Sequence, residues 1–220
     1  VVEIDDLATA SAAFGSALPV LRGIDGHYTP GDPTPEGARL ALASLTEATR
    51  LTREGLAGAI VTGPIAKARL AEIGFTQPGQ TEFVADACGV AHADAVMMLA
   101  GPSLRTVPLT VHVALAQVPA LLSRAMIERR TRIVAAALTR DFGLERPRIA
   151  ITGLNPHAGE EGRMGDEELR VIAPAIAALV AEGLAVTGPH PADALFAAHE
   201  RSPYAVAVCM YPDQALSPIQ

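Results

Sequence analysis

Short apolar segments alternate with helix-like segments along the whole chain, and this alternation strongly constrains the fold. The apolar runs have the length of buried strands and lie at 56–62, 95–100, 106–114, 148–152 and 204–211. Between them the clearest helical patterns cover 34–54, 121–141 and 166–182. Strands that alternate with helices are typical of a largely parallel sheet covered by helices. The sequence therefore predicts an α/β fold, layered α/β/α with a mostly parallel sheet.

Charge and apolar content exclude several classes of protein. The 220 residues carry 17 Lys and Arg against 24 Asp and Glu, which gives a formal net charge of −7. This acidic balance predicts neither a nucleic-acid partner nor binding to an anionic membrane surface. No apolar run approaches the roughly 18 residues that a membrane-spanning helix needs. Nucleic acid and membranes are therefore not expected as partners.

Cysteine usage and the first residues bear on the compartment. Cys88 and Cys209 are too few for a disulfide framework. The segment 1–6 has neither the basic start nor the apolar core of a signal peptide. We therefore expect a cytoplasmic location. The sequence lacks an initiator Met and shows no clear internal linker over 1–220, so we expect the central part of a larger protein.

Two segments in the first half of the chain have the pattern of anion sites. Ligands of parallel sheets bind at the carboxyl ends of the strands, and the turn at Gly63 with Lys67 follows the first apolar run. Its glycines lack the spacing of phosphate or dinucleotide loops, and a plain strand-to-helix turn is the alternative. Gln80 and Thr81 offer an amide and a hydroxyl at a helix start, where helix capping by Thr81 is the alternative.

The second half of the chain carries two histidines that could share a ligand. His157 follows a buried strand in the segment LNPHAGE, a setting that suits a metal site or acid–base chemistry. His112 lies in the apolar run 106–114, where a lone histidine is more often a core residue. The ends of two strands can nevertheless bring two imidazoles together, and a divalent metal then needs at least one further ligand.

Two aspartates are further candidates on loops of this half. Asp213 follows the last apolar run, and Asp193 lies in the segment GPHPADALF. Either carboxylate is able to order a substrate or a metal-bound water. A turn is the alternative for Asp213, and the N-cap of a helix at 194–199 is the alternative for Asp193.

Five motifs in a fixed order resemble the 4-hydroxythreonine-4-phosphate dehydrogenase family of pyridoxal phosphate biosynthesis. They are IVTGPIAKARL, PGQTEFVAD, LNPHAGEEGRMGDEE, GPHPADALF and MYPDQAL. The resemblance extends over nearly all of the chain, and LNPHAGE followed by PADALF is its most specific part. It implies a fold like that of the isocitrate and isopropylmalate dehydrogenases and a homodimer with the active site at the subunit interface. It also implies that the N- and C-terminal segments of the family lie outside this chain.

The same resemblance implies an activity and its cofactors. The family oxidises 4-phosphooxy-threonine with NAD or NADP and a divalent metal such as zinc, cobalt or magnesium, and decarboxylation then gives an aminoketone phosphate. A metal suits this chemistry because it polarises the hydroxyl oxygen and stabilises an enolate. The nicotinamide accepts the hydride. The resemblance leaves the residues that bind the dinucleotide unassigned in this chain.

The family's metal-binding histidines match this sequence only in part. Two of them fall on His112 and His157. The third falls on Pro212, which cannot bind a metal. Two histidines hold a divalent ion more weakly than three with an ordered outer shell.

The substrate-binding positions of the family also match in part. Its His-Thr pair falls on Gln80 and Thr81, and its carboxylates near the substrate match Asp193 and Asp213. A lysine that holds the substrate falls on Gln220, which removes a positive charge.

These departures leave two alternatives to an active dehydrogenase. One is a catalytically impaired or non-catalytic family member that dimerises or binds a phosphorylated ligand. The other is a paralogue that acts on a related four-carbon sugar-acid phosphate.

Overall fold

The computed structural model describes residues 1–197 and 204–219. The chain divides into an N-terminal unit, Val1–His92, and a C-terminal unit, Ala93–Gln220. Each unit has its own buried residues and is described by itself.

The N-terminal unit is built mainly from helices. Its elements are β1 (Val2–Ile4), α1 (Ala10–Phe14), β2 (Pro19–Leu21), α2 (Pro35–Arg53), α3 (Lys67–Glu72) and α4 (Gln80–Ala87), and the two strands pair in parallel. The start of α2 is as predicted, because the Thr34 hydroxyl accepts a hydrogen bond from the Gly37 amide at 3.1 Å and Pro35 is the first helical residue.

The predicted strand over 56–62 is wrong for this structure. The segment is not in a strand, and its Val61 side chain is 96% exposed. An apolar run becomes a strand only where another strand pairs with its backbone. In the described residues of this unit, β1 and β2 pair with each other and no strand pairs with 56–62.

The C-terminal unit contains a five-stranded, mostly parallel sheet. Its strands are β3 (Leu99–Ala100), β4 (Arg105–Pro108), β5 (Ile149–Thr152), β6 (Val186–His190) and β7 (Val206–Cys209). Their order is β3-β4-β7-β5-β6, and only β3 runs antiparallel to its neighbour. The helices are α5 (Val118–Leu121), α6 (Arg124–Phe142), α7 (Ala173–Ala181), α8 (Ala192–Leu195) and α9 (Pro212–Leu216).

Alternation of large and small residues along the strands creates two different faces. On one face Ile149, Ile151, Val206 and Val208 belong to the main core, together with apolar residues of α6 and α7. On the other face small residues of β5 and β7 pack against Leu195 of α8 and Ala215 of α9. Successive strand residues point to opposite faces, so helices cover both. The predicted α/β class, layered α/β/α with a mostly parallel sheet, is confirmed in this unit.

Several predicted boundaries differ from the structure. The long helix expected at 121–141 is α6, which begins only at Arg124, because Ser123 caps it by accepting a hydrogen bond from the Met126 amide at 3.2 Å. The strand expected at 106–114 ends at Pro108, and the one expected at 95–100 covers only Leu99–Ala100. The helix at 166–182 includes a π-helical turn, Glu168–Ile172, before α7. None of the helices in residues 1–197 and 204–219 combines the length and apolarity needed to cross a bilayer.

Candidate functional site

The loops that follow the parallel strands are tied together at the edge where β4, β5, β6 and β7 end, here called the carboxyl edge. The Gly153 amide donates to the His190 carbonyl at 2.8 Å. The Gln214 side-chain amide donates to the Gly153 carbonyl at 2.9 Å, and the Thr110 hydroxyl donates to the Met210 carbonyl at 2.8 Å. The predicted site residues of this unit lie on the segments that begin here, namely His112, His157, Asp193 and Asp213.

His112 is not a core residue of a strand, contrary to its predicted position. It lies four residues beyond the end of β4, is exposed, and has a φ of +57°. The sheet ladder ends close by, since the Leu109 amide makes a last bond to the Cys209 carbonyl at 2.8 Å. An exposed imidazole on a post-strand loop is able to meet a ligand, which a core histidine is not.

His157 begins a left-handed turn of five residues. The φ values are +51° for His157, +52° for Ala158, +79° for Gly159, +43° for Glu160 and +57° for Glu161. Left-handed backbone costs about 1–2 kcal/mol per residue with a side chain. Strain of this kind is concentrated at functional sites, where the surrounding structure imposes it.

Glu168 is a site residue that the sequence analysis missed. Its side chain is buried, and one carboxylate oxygen accepts hydrogen bonds from the amides of Leu154 and Asn155, both at 2.8 Å. The other oxygen accepts from the Asn155 side-chain amide at 3.0 Å. In the sequence Glu168 is one of three consecutive acidic residues at a helix start, where favourable interaction with the helix dipole is the ordinary explanation. No sequence signal distinguishes it, because the two amides that it binds lie 14 and 13 residues earlier in the chain.

Arg130 supports the segment that leads to His112 and was also missed. It projects from α6, and its guanidinium donates to the Leu109 carbonyl. Burial lowers the pKa of this guanidinium, an effect that the charge of Asp94 opposes. Its Nε atom is buried without a hydrogen-bond partner among the described residues.

The described residues do not complete a divalent metal site. Within 1–197 and 204–219, no group of three or more His, Cys, Asp or Glu side chains is placed to hold a metal ion. Pro212, at the third implied histidine position, is the first residue of α9. Proline suits a first helical position, but it offers no ligand atom.

The two aspartates are exposed and lie in the first turns of short helices. Asp193 is the second residue of α8, which begins after Pro191, so Asp193 is not the N-cap. Asp213 is the second residue of α9. Gln220 lies outside the described residues, as does part of the helix expected at 194–199.

In the N-terminal unit, the two predicted anion-binding segments meet. The Thr62 hydroxyl donates to the Gln80 side-chain oxygen at 3.1 Å, and the Gln80 side-chain amide donates to the Gly63 carbonyl at 3.3 Å. The N-cap residue of α4 is Gly79, which makes no side-chain capping hydrogen bond. Thr81 is the second residue of the helix, so it is not the N-cap, and its side chain is exposed. Gln80 therefore joins the turn after 56–62 to the start of α4.

The sequence lacks the glycine pattern of a nucleotide-binding turn. No two of its 19 glycines are separated by a single residue, as the dinucleotide fingerprint requires. The chain therefore offers no fingerprint residues to which a dinucleotide can be assigned.

Comparison with known proteins gives one consistent family. The model of the pyridoxal phosphate biosynthetic protein PdxA matches residues 1–220. A 4-hydroxythreonine-4-phosphate dehydrogenase of Erythrobacter litoralis is 63% identical over 99% of this chain and 65% of its own length. The enzyme of that name from Zymomonas mobilis is 48% identical over 100% of this chain and 66% of its own length. This chain therefore spans slightly less than two thirds of these relatives.

A solved structure agrees with this result. The crystal structure of 4-hydroxythreonine-4-phosphate dehydrogenase from Klebsiella pneumoniae has a TM-score of 0.85 and is 34% identical, covering 99% of this chain and 65% of that one. Such structures have the isocitrate/isopropylmalate dehydrogenase-like fold, so the fold that the resemblance implies is confirmed.

Proposed function

Because the chain belongs to the PdxA family of pyridoxal phosphate biosynthetic proteins, we propose that it acts as a 4-hydroxythreonine-4-phosphate dehydrogenase. The observation that carries the proposal is the family match over all 220 residues. The placement of exposed polar side chains on loops at the carboxyl edge supports it, since ligands of parallel sheets bind there.

The proposed reaction is the oxidation and decarboxylation of 4-phosphooxy-threonine to an aminoketone phosphate, with NAD or NADP as the acceptor. In this proposal Gln80 and Thr81 bind the substrate by hydrogen bonds from the start of α4. Asp193 and Asp213 order the substrate from the two short helices of the C-terminal unit. We propose a homodimer on the basis of the resemblance, and a cytoplasmic location on the basis of the resemblance and the cysteine usage.

Divalent-metal dependence rests on His112 and His157, and Pro212 occupies the third position that the resemblance implies. This observation favours a second candidate function, namely a catalytically impaired family member that binds a phosphorylated ligand.

A single assay distinguishes the two candidates. The 220-residue chain is incubated with 4-phosphooxy-threonine, NAD or NADP, and zinc, cobalt or magnesium, and formation of reduced nicotinamide is followed. An active dehydrogenase gives metal-dependent turnover. Turnover falls by more than about a hundredfold in His157→Asn, since loss of outer-shell partners of metal ligands already costs 10–100-fold.

The matched control is Glu36→Gln, which changes an exposed residue in the first turn of α2 and leaves turnover unchanged. Absence of turnover together with calorimetric binding of 4-phosphooxy-threonine supports the impaired family member. Absence of both contradicts both candidates.

A further inference from the structure

The left-handed turn that begins at His157 requires support from outside itself. Four of its five residues carry side chains, and consecutive residues in this conformation are rare because the Cβ atoms crowd the carbonyl oxygens. Such a backbone persists only where neighbouring groups impose it.

Glu168 packs closely against Gly159 at the centre of this turn. A Cβ atom added to Gly159 would lie 2.6 Å from one carboxylate oxygen of Glu168, and one added to Gly153 would lie 3.0 Å from the other. The same oxygens accept the hydrogen bonds of Leu154 and Asn155. Glu168 is only 3% exposed, and both oxygens of its carboxylate are engaged by the loop.

Gln214 holds the same loop from the C-terminal end of the sheet. Its side-chain amide donates to the Gly153 carbonyl, and its side-chain oxygen accepts from the Met210 amide at 2.9 Å and the Thr152 hydroxyl at 3.1 Å. Gln214 of α9 thus fixes the start of the loop at Gly153. Glu168 fixes the next two residues, Leu154 and Asn155, which lead into the turn.

We propose that Glu168 is a positioning residue whose carboxylate holds the left-handed turn and thereby fixes the His157 imidazole at the carboxyl edge. The geometric part of this inference does not depend on the activity of the protein. Its catalytic consequence rests on the proposed function, in which His157 takes part.

The contacts require a carboxylate rather than an amide of the same shape. In Glu168→Gln, one oxygen is able to keep the two backbone hydrogen bonds, but the new NH₂ group then faces the Asn155 side-chain NH₂. In the unsubstituted chain the Asn155 side-chain NH₂ also donates to the Glu167 carboxylate at 2.8 Å. Rotation of the Asn155 amide does not relieve the clash between the two NH₂ groups, because the Asn155 side-chain oxygen would then face that carboxylate. Glu168→Gln therefore loosens the loop without creating a cavity.

The test compares Glu168→Gln with Asp166→Asn in the full chain. Asp166 lies two residues away and pairs with the exposed side chain of Arg170 at 2.6 Å, so its substitution makes the same change in charge without touching the loop. In Glu168→Gln we expect amide hydrogen exchange over 154–162 to accelerate by at least about tenfold, while β5 and β7 keep their protection. Asp166→Asn changes neither region.

A spectroscopic signal reports on the imidazole itself. The Cε1–H resonance of His157 is expected to be single and sharp in the unsubstituted chain, and broadened or split in Glu168→Gln. The resonance of His27, an exposed residue of the N-terminal unit, serves as an internal reference and stays unchanged. If the chain turns over 4-phosphooxy-threonine, kcat falls at least about tenfold in Glu168→Gln, while KM stays within about twofold.

The inference is overturned if exchange over 154–162 is unchanged in Glu168→Gln, or if β5 and β7 lose protection to the same extent. It is also overturned if Asp166→Asn reproduces the effect. Failure of the dehydrogenase assay leaves the exchange and resonance measurements intact, so the two proposals fail separately.

Discussion

Pro212 shows how one residue can suit the local fold while lacking the side chain that the resemblance implies. As the first residue of α9 it has no amide proton to leave unsatisfied, and its fixed φ suits a helix start. The same ring removes the imidazole that the resemblance implies. Pro212 is therefore compatible with the fold, but its side chain contributes no ligand to a metal site.

Restoring a histidine at this position tests whether His112 and His157 form part of a metal site. We expect Pro212→His to raise the affinity of the chain for Zn²⁺ or Co²⁺ by at least about tenfold, because a third imidazole approaches the ligand count of a typical zinc site. Calorimetric titration with the metal alone measures the change.

The control for this prediction is Pro147→His, which places a new imidazole just before β5 at the opposite end of the sheet. It should leave metal affinity unchanged. Equal affinities in the two variants would mean that the two histidines do not share an ion with position 212.

Among the elements, α6 is linked to its surroundings by charged side chains as well as by its apolar face. Glu128 accepts a hydrogen bond from Arg124 at 2.5 Å and one from Arg132 at 2.9 Å. Arg132 also donates to Glu182, the C-cap residue that follows α7, at 2.6 Å. A chain of charges thus connects two helices that pack on the same face of the sheet.

This arrangement predicts a defined response to acid. The hydrogen bonds from Arg124 and Arg132 lower the pKa of Glu128 below its ordinary value of 4.5. The stabilisation is therefore fully present above pH 4.5 and is lost as the pH falls through the lowered pKa. We expect Glu128→Gln to reduce the free energy of unfolding by roughly 0.5 kcal/mol at neutral pH, and by less in acid.

Urea denaturation at a series of pH values measures this difference. Glu145→Gln, at an exposed position in the loop after α6, is the control for the loss of one surface charge and should leave the free energy of unfolding unchanged at neutral pH. A destabilisation by Glu128→Gln that persists unchanged at the lowest pH would contradict the ion-pair explanation.

At the scale of the whole molecule, buried apolar residues are distributed unequally between the two units. The main core lies entirely in the C-terminal unit, where β4, β5 and β7 contribute side chains that are almost fully buried. The N-terminal unit buries fewer large side chains, among them Leu45, Leu51 and Leu70.

This distribution predicts unequal local stability. Since local opening is easiest where few apolar groups are buried, we expect the amides of β1 and β2 to exchange at least about a hundredfold faster than those of β5 and β7. Hydrogen exchange followed by mass spectrometry of peptides from each unit measures the rates, with the helical segment 134–138 as an internal reference for the main core. Comparable protection in β1 and β5 would contradict this account.

Much of the fold followed from patterns that are local in the sequence. The alternation of apolar runs with helical segments predicted the α/β class, and Thr34 and Pro35 predicted the start of α2. The positions of His157 and Asp213 after strands were also predicted, because glycine and proline mark the ends of those two apolar runs in the sequence. These features depend on residues a few positions apart, so they can be predicted from the sequence alone.

Other features were decided by contacts between residues distant in the chain. The run 56–62 has the composition of a strand, but no described strand pairs with its backbone. His112 lies within the apolar run 106–114, yet the strand ends at Pro108 and the last ladder hydrogen bond is made at Leu109. Glu168 resembles any acidic residue at a helix start until the amides of Leu154 and Asn155 are placed beside it. The sequence by itself determined the class of fold and the loops that carry polar groups. Only the tertiary structure decided which of those groups meet, because hydrogen-bond partners are set by spatial position rather than by local pattern.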